Sequence, residues 1–312
     1  MGSRELARQG ANEWLVSDLL GQPDEVGRFL HLLNGNRSQA AERVLRDCLP
    51  HLLAFFQKDD GWPNPAFREI YRALLELLFY STEGSQADLA LFNQLVDVLL
   101  LLGAGDAASY REFVASGRDL WARLDSPLLL DWLLDLLECL VIHPCSDKEA
   151  RLELLQDALN GLRKHHRRVN AEQRELLRLL AGDLGQGELF AQYFPESEGA
   201  EPDPAGDPLA RLAGRSVGAY TLSESAGRQF QQVLLSRCPT VRVSLCHDLD
   251  ASKRLKQLAK QADIFVMVTA SAKHAATIAI EDNRPAAMPL LRPAGKGSAS
   301  MLRVMREHLE NA

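Results

Sequence analysis

A proline-rich, acidic segment divides this chain of 312 residues into two unlike parts. The segment, PESEGAEPDPAGDP over 195–208, has four prolines, five acids and no large apolar side chain. Proline interrupts helices, and a segment without apolar groups gains nothing by packing, so we predict a semi-extended linker over 195–210. The expected domains are therefore an all-helical interaction domain over 1–194 and a small α/β domain over 211–312.

The formal charge changes sign across that linker. Residues 211–312 contain 15 Lys and Arg against 8 Asp and Glu, a balance of +7, whereas residues 1–210 sum to −14. A basic domain favours an anionic ligand. Two structural alternatives stand beside that interpretation: each part has a solvated charged surface, or an acidic part docks a basic one.

Residues 1–194 show helical periodicity almost throughout. Helix starts are predicted after Asn64, Ser126, Asp147 and Asn170, because each side chain can accept a hydrogen bond from the first turn, and proline follows the first two. We expect about nine or ten helices in an irregular array, because no repeat of fixed length supports a named solenoid class.

After Gly214 the pattern changes to short apolar strands that alternate with helices. Such alternation within about 100 residues predicts a parallel sheet with right-handed crossovers. We therefore predict a four-stranded Rossmann-like domain of flavodoxin-like order 2-1-3-4. The predicted strands cover 215–222, 239–246, 263–269 and 288–292.

The loops at the carboxyl ends of these strands predict an anion or nucleotide site, because ligands of such sheets bind there. Gly295 and Gly297 permit close backbone approach, and the following helix presents free N–H groups that favour phosphate or carboxylate. The structural alternative is that Ser298 only caps its helix. Candidate ligand-binding residues are Ser223, Ser225, Thr269, Ser271, Lys273, His274, Arg292, Gly295, Lys296, Gly297, Ser298 and Ser300.

A run of six basic residues, RKHHRR over 163–168, ends one predicted helix. Cations there oppose the negative end of the helix dipole, which is a purely structural role. The alternative is contact with nucleic acid through Arg163, Lys164, Arg167 and Arg168. Because no aromatic residues alternate with basic ones along a strand, such binding would be directed at the phosphate backbone.

The motifs of common enzymes are absent from the sequence: it has no GxxxxGK followed by Ser or Thr, no GxGxxG and no GxSxG. His274 could form a hydrolytic set with Ser271 or Asp248, but no third orienting group is evident. We therefore expect no catalytic residues and no cofactor. A hydrolase or nuclease that uses His274 is the alternative.

The five cysteines are widely spread and form no CxxC pair, so a disulfide framework is not expected and the cytoplasm is the predicted location. Cys139, His143 and Cys145 lie close together, but no second group has zinc spacing, so we expect no metal.

The first twenty residues lack the apolar core of a signal peptide. The longest apolar run, ending at Gly103, is shorter than the ~20 residues that span a bilayer, so no membrane partner is expected.

Three stretches of the C-terminal third resemble a family of small Rossmann-like domains of unknown function in bacterial proteins. They are ADIFVMV over 262–268, SAKHAA over 271–276 and RPAGKGSAS over 292–300. The resemblance implies a ligand-sensing or scaffolding module. A helical array joined to such a module is similar in style to accessory proteins of bacterial anti-phage systems.

The expected function is thus a non-catalytic adaptor. Its basic domain would hold a phosphate-bearing ligand, either a nucleotide or a nucleic-acid backbone, and its helical domain would bind a protein partner. The alternative within the same fold is an assembly scaffold with a vestigial pocket.

Overall fold

A computed structural model describes residues 15–21, 23–35, 38–59, 61–103, 106–195, 207–269 and 274–311. The chain forms two compact units, one of residues 1–82 and 98–104 and the other of residues 83–97 and 105–312. Most of the predicted linker lies outside the described residues. The division into a helical domain, a linker and an α/β domain therefore stays a prediction.

The first unit contains four described helices, and aromatic side chains form part of its core. Phe56 packs against Phe67 and Tyr71, with ring centroids 5.0 Å and 5.5 Å apart. A 3-10 turn over Pro65–Phe67 follows Asn64, whose Oδ1 accepts from Ala66 N at 3.0 Å. The helices are α1 (Val16–Leu20), α2 (Pro23–Asn34), α3 (Gln39–Phe56) and α4 (Arg68–Ser81).

The helices of the second unit begin where side-chain acceptors predict them. A 3-10 turn begins after Ser126, Asp147 accepts from Ala150 N at 3.0 Å, and Asn170 forms a capping box with Gln173. The helices are α5 (Gln86–Leu101, whose last turn belongs to the first unit), α6 (Ala107–Leu124), α7 (Leu130–Ile142), α8 (Lys148–Lys164), α9 (Ala171–Asp183) and α10 (Gly187–Tyr193).

The same unit contains a four-stranded, all-parallel sheet of order β2-β1-β3-β4, which confirms the predicted order. Strand β3 is buried at every position, as expected for a central strand covered on both faces. Strand β4 is shorter than predicted. The strands are β1 (Ser216–Tyr220), β2 (Arg242–Cys246), β3 (Ile264–Met267) and β4 (Leu290–Leu291).

Four further helices cover this sheet: α11 (Glu224–Arg237), α12 (Lys253–Gln261), α13 (His274–Asn283) and α14 (Ser298–Asn311). Helix α12 has a side-chain cap at its amino end. Ser252 holds that position, and its Oγ accepts from Leu255 N at 3.0 Å. Helix α14 packs against α7 and α9, and α11 also packs against α9. The sheet is therefore joined to preceding helices within one unit.

Polar side chains hold the amino end of the sheet together. Asp263 Oδ2 accepts from Ser216 N at 2.7 Å, which ties the starts of β3 and β1. The buried guanidinium of Arg284 donates to four backbone carbonyls near the strand starts, at 2.5–3.0 Å. The carbonyls belong to Ala259, Ala262, Asp263 and Pro289.

In the described part of the chain, no helix is both long and apolar enough to cross a bilayer.

Candidate functional site

The first turn of α14 binds two carboxylates of α7. Ser298 N and Ser298 Oγ each donate to Glu138 Oε2 at 2.7 Å. Ser300 N donates to Asp135 Oδ1 at 3.2 Å, and Ser300 Oγ donates to Asp135 Oδ2. All four residues are buried. The free N–H groups and hydroxyls predicted to take an external anion are therefore engaged by acids of the same unit.

Asp135 and Glu138 reach this position because they are three residues apart on α7, so their side chains share one face of the helix. Almost every residue of α7 is buried, including the apolar residues around both acids. Burial of the helix therefore takes the two carboxylates out of water, and a buried carboxylate needs hydrogen-bond donors. The start of α14 supplies those donors.

The two glycines of the strand-4 loop, defined here as residues 292–297, lie directly against Asp135. A Cβ atom on Gly297 would stand 2.6 Å from Asp135 Cγ, and one on Gly295 would stand 2.9 Å from Asp135 Oδ2. Both distances are shorter than real contacts allow. The glycines thus permit a close backbone approach, and the group approached is a carboxylate of α7.

Lys296 in the same loop forms an ion pair with Asp97 of α5. Asp97 Oδ1 also lies 2.8 Å from His143 Nε2. Burial alone would raise the pKa of Asp97, but the His143 hydrogen bond and the Lys296 charge outweigh it and hold that pKa below its ordinary value. The charge of Lys296 is therefore balanced within the unit.

Burial raises the pKa of Asp135 to about 7 and that of Glu138 to about 8. The neighbouring charge of Asp135 adds to the shift of Glu138. Desolvation disfavours the charged form of a carboxyl group, and two adjacent carboxyls disfavour double ionisation. The pair therefore retains protons at neutral pH.

A small cavity borders this cluster. Its volume is about 30 Å³, which gives room for a few water molecules at most. Glu138 Oε1 and Asn93 Oδ1, from residues that line it, have no hydrogen-bond partner among the described residues. The cavity is too small for a nucleotide.

The other predicted ligand residues that the structure describes take no part in the hydrogen bonds between α14 and α7. Ser223 caps α11, accepting from Ala226 N at 3.2 Å, and also borders the small cavity. Ser225 is half-buried and Thr269 is exposed. Arg292 is exposed and pairs with Glu281 at 2.8 Å. Ser271, Lys273 and the side chain of His274 lie outside the described residues, so their predicted roles stay predictions.

The basic run at the end of α8 is divided between two roles. Lys164 forms an ion pair with Asp125, and His165 Nε2 lies 3.5 Å from Asp125 Oδ1. The side chains of Arg163, Arg167 and Arg168 are exposed, and they form no ion pair within the described parts of the chain. These arginines are available to an external anion.

Asp97, Cys139 and His143 bring three potential metal ligands within 4.8 Å of one another. The donor set is of a kind that zinc accepts. However, the Lys296 ammonium contacts Asp97, and burial raises the pKa of the Cys139 thiol well above its ordinary value. This arrangement favours a hydrogen-bonded ion pair over a metal site.

The acids that bind the strand-4 loop and α14 are not among the candidate site residues predicted from the sequence. A signal for them is present in α7, LDWLLDLLECLVI, where Asp131, Asp135 and Glu138 recur along one face of an otherwise apolar helix. Such acids become buried with the helix and require partners. Asp131 accepts from Gln173 at 2.7 Å and lies 3.8 Å from Arg306. No comparable signal marks Asp97 as the partner of Lys296.

Comparison with known families gives a match to a family model described as DpdD-like, over residues 1–304. The match covers the helices and the sheet together. It does not confirm the resemblance of the C-terminal third to small Rossmann-like domains of unknown function. No curated protein and no solved structure matches this chain.

Proposed function

This chain belongs to the DpdD-like family, and from that premise we propose that it is a non-catalytic adaptor in a bacterial phage-defence system. The family match suggests a role in a Dpd-related or phage-defence-related system, which supports DNA as the nucleic acid that the protein contacts. The adaptor would contact a nucleic-acid backbone through exposed cations and hold a protein partner through its helices.

The observation that carries the proposal is the contact between α14 and α7. In doubly wound sheets the loops at the carboxyl ends of the strands bind the ligand. Here Asp135 and Glu138 bind the donors of Ser298 and Ser300, and the adjoining cavity has room for a few water molecules at most. This part of the sheet therefore joins elements of the protein, which supports a role in assembly rather than catalysis.

Exposed arginines support the nucleic-acid part of the proposal. Arg163, Arg167 and Arg168 are exposed at the end of α8, and guanidinium groups bind phosphates well. Contacts of this kind position a protein on nucleic acid without reading its sequence. The proposed binding is accordingly salt-sensitive and weakly sequence-specific.

Large apolar side chains on the surface of the helices support the protein-partner part. Tyr80 is 77% exposed and Leu128 is 76% exposed. Tyr80 belongs to one compact unit and Leu128 to the other, so each unit has an exposed apolar side chain that a partner could bury.

A second candidate is a small phosphate-bearing ligand at the strand-4 loop, because the loop and α14 contain the donors that phosphate requires. That ligand would have to replace Asp135 and Glu138. Bound ligand raises the melting temperature of a protein by mass action. A rise in melting temperature with added ATP or inorganic phosphate would support this candidate over the proposed adaptor.

The proposal is tested by fluorescence anisotropy with labelled duplex and single-stranded DNA, at about 50 mM and about 200 mM salt. We expect salt-sensitive binding that weakens when Arg163, Arg167 and Arg168 are all replaced by Gln. Arg178→Gln is the control, because Arg178 is exposed but paired with Glu175 at 2.7 Å.

Two results would overturn the proposal. The first is the absence of binding to either DNA at the lower salt concentration. The second is metal-dependent turnover of DNA that His274→Ala abolishes, since it would make the protein the hydrolase or nuclease of the alternative hypothesis.

A further inference from the structure

We infer that the outer face of α12 is a contact surface for the phosphate backbone of nucleic acid. The inference rests on the proposed function and names a surface that the sequence analysis did not select. Helix α12, KRLKQLAKQ, contains four cations and no acid. It follows β2 at the edge of the sheet and packs on β1 and β2.

The buried residues and the lysines lie on different sides of the helix. Leu255 and Ala259 are fully buried against the sheet core. At about 100° per residue, Lys253, Lys256 and Lys260 fall within an arc of about 60°, centred about 110° around the helix from the midpoint of Leu255 and Ala259. All three lysines are exposed. With a rise of 1.5 Å per residue they span about 10 Å along the helix axis.

These lysines differ from other cations of the unit in their surroundings. Lys164 and Lys296 form ion pairs with Asp125 and Asp97. By contrast, the side-chain ammonium groups of the three α12 lysines form no ion pair or hydrogen bond with any residue in the described ranges.

Three acids stand near the ends of α12 in sequence. Asp248 accepts from Ser252 Oγ, and Asp263 accepts from Ser216. Asp250, which is the nearest to the start of the helix, is exposed. Among the described residues, none of the three acids forms an ion pair with a lysine of α12.

Helix stability does not account for the position of the charges. Lys253 is the first residue of α12, where the positive end of the helix dipole favours acids and disfavours cations. Only Lys260 lies in the last turn, where a cation stabilises the helix. The charge of Lys253 therefore interacts unfavourably with the helix dipole, and an external anion would offset that interaction.

The chemistry of the surface fits a phosphate polymer. Duplex DNA carries one negative charge per about 1.7 Å of axis, so a span of about 10 Å faces several phosphates at once. Lysine places a point charge on a flexible stem, which tolerates variation in phosphate position. The helix has no aromatic residue, so it offers no platform for stacked bases.

The test compares two triple variants of the full-length chain that remove equal charge. One is K253Q/K256Q/K260Q on α12. The other is R28Q/R111Q/R178Q, whose arginines are exposed but paired with Glu25, Asp147 and Glu175. Duplex DNA binding is measured by anisotropy across a salt series, and circular dichroism confirms that both variants are folded.

We expect the α12 variant to bind at least about tenfold more weakly at low salt. The slope of log affinity against log salt should lessen by up to about 2.7, or about 0.9 for each of three lost phosphate contacts. The control variant should keep most of the affinity and slope, because its charges were already paired.

The outcomes separate this inference from the proposed function. Binding that is intact in the wild type and equally affected in both variants would overturn the role of α12 and leave the adaptor proposal standing. Absence of wild-type binding would overturn both. Binding of poly-glutamate in place of DNA through the same lysines would overturn the inference in favour of an acidic protein partner.

Discussion

Two basic regions of the α/β part have opposite surroundings. The strand-4 loop and the start of α14 place Lys296, Ser298 and Ser300 against acids of α5 and α7. Helix α12 places its lysines in solvent, with no acid paired to them in the described part of the chain. A basic, hydroxyl-rich sequence therefore does not reveal whether the anion that it binds is internal or external.

The difference follows from the element that packs on each region. Helix α7 is apolar on nearly all sides and must be buried, so Asp135 and Glu138 enter the interior with it. Their burial requires donors, and α14 provides them. Helix α12 is apolar on one side only, so its cationic side stays in water at no desolvation cost.

The largest expected effect is on the pH dependence of stability. Asp135 and Glu138 have folded-state pKa values of about 7 and about 8, above those of the unfolded chain. Their contribution is therefore complete below the unfolded pKa and is lost as pH rises through the folded values. We expect the melting temperature to fall from about pH 5 to about pH 9, and Glu138→Gln to flatten that fall.

Glu281→Gln is the control for this experiment, because Glu281 is exposed and pairs with Arg292. Its melting temperature should follow the pH dependence of the wild type. A wild-type melting temperature that is constant over this pH range would show that the carboxyl pair is not held protonated.

The next effect concerns stability, and it compares a lysine that pairs with a buried acid with a lysine that is exposed on α12. Lys296→Ala leaves the buried Asp97 with His143 as its remaining partner, and removing one member of a buried ion pair costs about 3 kcal/mol. Lys256→Ala on α12 removes an exposed side chain, so the free energy of unfolding should change by less than about 0.5 kcal/mol. Urea unfolding measures both, and equal small effects would contradict the internal role of Lys296.

A third prediction concerns the close approach of the strand-4 loop to Asp135. In Gly297→Ala the added Cβ would meet Asp135 Cγ at 2.6 Å, so we expect a loss of about 2 kcal/mol. Gly182→Ala is the matched control, since no atom lies within 4 Å of its added Cβ and it stands in a helix. That control should gain about 0.5–1 kcal/mol in urea unfolding. A gain in both variants would rule out the tight contact.

The sequence predicts the fold well because the fold depends on local patterns. Helix caps at Asn64, Asp147 and Asn170 can be recognised from single residues, and the buried run of β3 identifies a central strand. Their signals lie within a few residues of the elements that they define. The length of β4 could not be predicted, because pairing with β3 decides where that strand ends.

The site is harder to predict because its partners are distant in sequence. The strand-4 loop has residues that suit contact with an anion, since Gly297 permits close approach and Ser298 donates to a carboxylate. However, Glu138 lies 160 residues from Ser298. Only the packing of α14 on α7 brings them together, and no local pattern specifies that packing.

The smallest effect that separates the two regions is the loss of a single hydroxyl. Ser300→Ala removes the donor to Asp135 Oδ2 and leaves the backbone N–H to Asp135 Oδ1 at 3.2 Å. We expect a loss of about 1 kcal/mol, as for a typical buried hydrogen bond. Ser225→Ala is the control, because this half-buried serine has no side-chain hydrogen bond to the described residues; it should change stability by less than about 0.5 kcal/mol.

The pH dependence of this loss sharpens the prediction. The Ser300 hydroxyl donates to Asp135, so it favours the ionised carboxylate and opposes the effect of burial on that pKa. Without it the pKa of Asp135 should rise further, and the destabilisation should grow as the pH increases. Urea unfolding at mildly acidic and mildly alkaline pH measures the difference. A loss that is equal at both pH values would mean that Ser300 contributes through packing alone and not through the charge state of Asp135.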